Sequence, residues 1–83
     1  MSEQFTLNVL TPEKELYSGK VVSLTANAMD GEIGILANHA PLITVLKKGR
    51  LEIKIPEGES KRFEIEQGLL KVSTNQVSVL IYQ

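Results

Sequence analysis

Apolar and polar positions alternate every two residues along most of this chain. Phe5, Leu7 and Val9 alternate with Thr6 and Asn8, and Val22, Leu24 and Ala26 with Ser23 and Thr25. Leu51, Ile53 and Ile55 follow the same rule, as do Phe63 and Ile65, and then Val77, Val79 and Ile81. Side chains of a strand point to opposite faces in turn, so each run predicts a strand with one face on a core. Shorter strands are predicted at Ile33–Leu36, Leu42–Leu46 and Leu69–Ser73. No long window carries a helical period, and the best helical candidate, Pro12–Tyr17, is too short to matter.

Turn residues fall between these runs. Thr11-Pro12 ends the first strand, Tyr17-Ser18-Gly19 precedes the second, and Asn27 to Gly31 reads as a polar loop. Pro56 to Ser60 reads as a hairpin tip. Gln67-Gly68 predicts a break, and Thr74-Asn75-Gln76 a turn into the last strand. Many short strands must cover one another's apolar faces. The expected fold is therefore all-β, a flattened antiparallel β-sandwich or barrel, with residues 1–83 as one domain.

Composition narrows the function. The net charge is −1, with nine basic and ten acidic residues, which disfavours binding nucleic acid through phosphate neutralisation. Four dispersed aromatic residues offer no stacking platform for single strands. With no cysteine, thiolate chemistry and disulfides are excluded. No apolar run approaches the ~20 residues that span a bilayer. The opening MSEQFTLNVL lacks the basic start and long apolar segment of a signal peptide.

The segment Asp30–Gly49 concentrates the unusual residues: three glycines, Pro41 and the single histidine. Gly31 and Gly34 can take positive φ, and Pro41 biases Ala40 toward an extended conformation, so a shaped turn-strand-turn is expected. Asp30 and Glu32 read as solvent-facing polarity or a binding surface rather than a general acid/base pair. His39 has no second histidine or thiol for a zinc site and no nucleophile to serve. Two readings of it stand side by side: a histidine bonded to local backbone, or one at a protein interface. Lys47, Lys48 and Arg50 form a small basic cluster, read as a solvated strand end or a contact for an acidic partner.

This segment resembles a characteristic stretch of the epsilon subunit of F-type rotary ATP synthases. Gly31, Ile33, Gly34, Ile35, His39, Pro41, Leu42, Ile43, Thr44, Leu46 and Gly49 carry the likeness. The flanks agree: LNVLTPEKELYSGKVVSL at the start, and Gln67-Gly68-Leu69-Leu70-Lys71-Val72 and Asn75 to Leu80 at the end.

The resemblance implies a sandwich of about ten short strands in two sheets. It implies a non-catalytic rotor subunit that links the gamma subunit of the central stalk to the ring of c subunits and helps couple proton flow to ATP synthesis. Asp30, Gly31 and Glu32 would face the c ring, and Thr11, His39, Ala40 and Pro41 would face gamma, with Gly34 letting the chain bend between the two sets. No cofactor, metal or nucleic acid is implied. The isolated chain is expected to be monomeric and to reach the membrane only through the complex. The expected place is the cytoplasmic face of the bacterial inner membrane, or alternatively the stromal face of a thylakoid. The sequence stops at Gln83, where the family usually continues into a two-helix C-terminal domain. A naturally short member is the expectation, with a truncated form as the alternative.

Overall fold

The computed structural model describes residues 3–83. Met1 and Ser2, which begin the opening read for a signal peptide, lie outside the described residues. Nine strands follow one another: β1 (Phe5–Leu10), β2 (Glu15–Val21), β3 (Ser23–Ala28), β4 (Gly31–Leu36), β5 (Leu42–Leu46), β6 (Gly49–Lys54), β7 (Ser60–Ile65), β8 (Gln67–Ser73) and β9 (Gln76–Tyr82). There is no helix among the described residues.

The strands run in the order β2-β1-β9-β8-β5-β3-β6-β7, with β4 on the free side of β3. The fold is all-β, as expected, but two details differ. First, there are nine strands rather than about ten, and they form one curled hydrogen-bonded sheet rather than two separate ones. A five-stranded half (β2-β1-β9-β8-β5) passes into a four-stranded half (β4-β3-β6-β7) through the single residue pair Ala28 with Leu46. Second, β1 and β9 pair in parallel, whereas every other ladder is antiparallel. The pairing joins the two ends of the chain, which local pattern cannot reveal.

Both halves contribute to one core. Leu7, Val9, Leu70, Val77, Val79 and Ile81 from the first meet Leu24, Ile35, Leu51, Ile53 and Ile65 from the second, all buried. The period-2 pattern places all of these inward except Ile35 and Leu70, which lie in strands predicted without a face. At about 25 cal/mol per Å² of apolar surface removed from water, this burial supplies most of the folding drive. No polar or charged side chain is buried among the described residues.

Punctuation was read less well than the faces. Tyr17-Ser18-Gly19 lies inside β2, because pairing of Asn8 with Ser18 and of Leu7 with Gly19 holds it extended. Val22 is a half-buried bend residue, and Val21 takes the core position expected of it, since the chain turns there from one half to the other. Asn27 and Ala28 belong to β3, so the Asn27–Gly31 loop shrinks to Met29-Asp30 with Gly31 at φ 123°. Gln67-Gly68 does not break the chain but begins β8. Gly34 sits extended in β4 opposite Thr25, so no bend occurs there. The Pro56–Ser60 tip is a turn as expected, closed by the Gly58 N–H donating to the Ile55 carbonyl at 2.9 Å.

Candidate functional site

The register sorts the loops into two ends. At one end lie the Met29-Asp30 turn, the β5–β6 connection at Lys47-Lys48, the β1–β2 turn that begins at Thr11, and Tyr82. Ala28 pairs with Leu46, Leu46 with Gly68, Gly68 with Ile81, and Leu10 with Leu80, which ties these loops together. At the other end lie the Ala37–Pro41 loop, the Thr74-Asn75 turn and the Pro56–Ser60 tip.

Asp30 and Glu32 do not share a regular strand face. Asp30 stands in the turn, and Glu32 is the second residue of β4, opposite Asn27. Both are exposed. Met29 beside them is 61% exposed, so the tip combines an apolar side chain with two carboxylates. The β5–β6 connection is anchored next to this tip, where the Lys47 N–H donates to the Asn27 carbonyl at 2.8 Å. Lys48 reaches Glu66 at 3.9 Å, with both side chains largely in water. A pair of that kind contributes little, so it fits the solvated-strand-end reading of this lysine.

Thr11 caps its own turn. Its Oγ1 accepts from the Lys14 N–H at 3.1 Å, and its N–H donates to the Lys14 carbonyl at 2.8 Å. His39 is half-buried, and its Nδ1 lies 2.8 Å from the Ala40 carbonyl oxygen. A carbonyl can only accept, so in this contact Nδ1 donates its N–H and Nε2 is not engaged by it. The local-backbone reading of His39 therefore describes one ring nitrogen and leaves the other for a partner.

Thr11 and His39 are not neighbours. They sit diagonally across the five-stranded half, at its opposite ends and three strand spacings apart, about 14 Å across by strand geometry. What connects them is an apolar strip on the outer face of that half. It runs from Leu10 across Leu80 and Leu69 to Val45, each paired with the next, and then along β5 to Ile43. Ile43, Val45 and Leu69 are 65%, 48% and 44% exposed. Leu10 and Leu80 are half-covered. Ile43 lies two residues from Pro41, and Leu10 precedes Thr11.

Sequence reasoning missed this strip. The signal was present: LITVL is apolar on both faces, and Leu69 and Leu80 are apolar at positions where the alternation calls for polar residues. A contiguous apolar surface on a small soluble domain marks a place where another surface docks.

Comparison with known proteins agrees with the fold. An ATP synthase epsilon chain of Psychrobacter cryohalolentis is 42% identical over 72 residues, covering 87% of this chain and 52% of that protein. The chain spans about half the length of the curated relatives it matches, from 52% to 57% among three of them. The backbone superposes on a chain in the Euglena gracilis mitochondrial ATP synthase assembly of OSCP, F1 and c-ring, with a TM-score of 0.91 at 24% identity, covering 96% of this chain and 51% of that one. A chain in the central stalk and c-ring structure of the Tetrahymena thermophila mitochondrial ATP synthase matches with a TM-score of 0.81 at 20% identity, over 99% of this chain and 66% of that one. The family described as ATP synthase, delta/epsilon chain, beta-sandwich domain matches residues 4–83, so the chain belongs to that family.

Proposed function

We propose that this chain is a non-catalytic rotor subunit of a proton-translocating F-type ATP synthase, joining the gamma subunit to the c ring. The observation that carries the proposal is the outer apolar strip. It turns two separated sets of expected gamma contacts, Thr11 and His39-Ala40-Pro41, into the ends of one continuous surface. Apolar side chains along it supply area, while the Thr11 turn and His39 Nε2 at its ends supply direction.

Asp30, Gly31 and Glu32 are then the contact with the c ring. They project from the end of the sheet as an exposed hairpin tip, separate from the strip. A polar loop with a basic residue would find two carboxylates and the Met29 side chain there. Each contact is weak alone, but a rigid body that presents several together is held firmly. Close-packed sheets resist compression, which suits a part that passes torque. The catalytic sites lie on other subunits. The protein sits peripherally on the cytoplasmic face of a bacterial membrane, held there by the complex, and is a monomer when isolated.

The test is gel filtration of this chain mixed with the gamma subunit from the same organism. Co-elution in a one-to-one complex is expected. Separate elution of two folded proteins at micromolar concentration contradicts the proposal.

A further inference from the structure

The Ala37–Pro41 loop crosses from β4 in one half of the sheet to β5 in the other and forms no regular ladder of its own. It is held by a residue far away in sequence. Asn75, in the β8–β9 turn, accepts the Asn38 N–H on its Oδ1 at 2.8 Å and donates from Nδ2 to the Asn38 Oδ1 at 3.2 Å. Its own carbonyl accepts the Thr6 N–H at 3.1 Å. The spare donor of Asn38 reaches Glu3 at 3.3 Å.

This pairing needs an asparagine at 75. A backbone N–H can only donate, so the oxygen of the Asn75 amide must face it, and the NH₂ then meets the Asn38 oxygen. Aspartate there would present oxygen to oxygen, and alanine would present nothing. Both residues take the left-handed conformation, Asn38 at φ 65° and Asn75 at φ 51°, which asparagine tolerates better than most residues. Two turns in left-handed geometry thus meet through their asparagines.

We infer that Asn75 is a positioning residue for the interface. Through Asn38 it fixes where the loop holds His39 and Pro41, which lead into the Ile43 end of the apolar strip. The inference rests on the gamma-binding reading above. Without the bracket the loop samples more states, and binding has to order it, so affinity falls while the strip itself stays intact.

The experiment uses Asn75→Gly and Asn38→Gly, singly and together, because glycine keeps the left-handed backbone and removes only the amide. Thr74→Ala serves as a control in the same turn. Amide hydrogen exchange at Asn38 in the isolated chain and affinity for the gamma subunit are measured for each protein. Asn75→Gly is expected to speed Asn38 exchange about tenfold and to weaken gamma binding about three- to tenfold, at the scale of ordering a short loop. The double variant should be no weaker than Asn75→Gly alone, since that change already removes both bonds between the two residues, and Thr74→Ala should match wild type. Unchanged exchange or affinity in Asn75→Gly, with wild type binding gamma, overturns this inference alone. Failure of the wild-type chain to bind gamma overturns the functional reading and this inference with it.

Discussion

Gly68 lies so close to the Leu80 carbonyl that a side chain on it would have nowhere to go: a Cβ there would lie 2.8 Å from the Leu80 carbonyl oxygen and 3.3 Å from Cγ2 of Ile81, its partner in the ladder. The obstruction is backbone in a continuous antiparallel ladder, so it cannot swing aside. Gly68→Ala should therefore destabilise the fold by about 1–3 kcal/mol, as overpacking does. Urea denaturation followed by circular dichroism measures it; a midpoint equal to wild type contradicts the close approach.

Two other glycines should behave in opposite ways. Gly49 has φ 150°, and a Cβ on it would run into the Asn27 side chain, so Gly49→Ala should cost about 1–3 kcal/mol. Gly34 has open space around it in an ordinary strand conformation, so Gly34→Ala should be neutral or stabilising by about 0.4–1 kcal/mol. Thermal melts of both variants decide. A large loss at Gly34 would restore the bend that the structure removes.

The apolar strip can be separated from the core by substitution. Ile43→Thr with Val45→Thr keeps β-branched residues on β5 and removes apolar area from water-facing positions. Stability should change by less than about 1 kcal/mol, whereas Leu51→Ala, fully buried, should cost about 2–5 kcal/mol. Affinity of the Thr pair for the gamma subunit should drop about tenfold, the scale of losing a few central apolar contacts. Calorimetric titration gives the number, and wild-type affinity would remove the strip from the interface.

How much of this was legible in the sequence depends on range. The faces of β1, β6 and β9 followed from alternation, because burial on one side and water on the other is a local demand. The boundaries at Tyr17-Ser18-Gly19 and Gln67-Gly68 did not. Turn-prone residues are held straight there by neighbours distant in sequence, and Gly68 is needed for closeness rather than flexibility. Likewise the parallel β1–β9 pair and the Asn38–Asn75 bracket join segments that no short window contains. For the site, the resemblance supplied Asp30, Gly31, Glu32, Thr11 and His39-Ala40-Pro41 as separate contacts. Their division between two ends of the sheet, and the strip that reunites Thr11 with Pro41, needed the register.

That division makes a geometric claim about the two tips. Glu32 and Glu57 are both exposed acidic residues on hairpins, but they lie at opposite ends of the four-stranded half. With a cysteine placed in the polar loop of the c subunit, Glu32→Cys should form a disulfide under mild oxidation in intact membranes. Glu57→Cys should not. Equal cross-linking from both positions would contradict the assignment of one end to the ring.

Cross-linking Glu32→Cys to the ring also tests whether the two move together. If this chain and the c ring turn together as one rotor, a bond between them crosses no moving boundary. ATP-driven proton pumping by membranes in which nearly every copy is cross-linked should then equal that of the same membranes reduced with thiol. Pumping that falls in proportion to the cross-linked fraction and returns on reduction would place this chain on the stationary side and contradict the account.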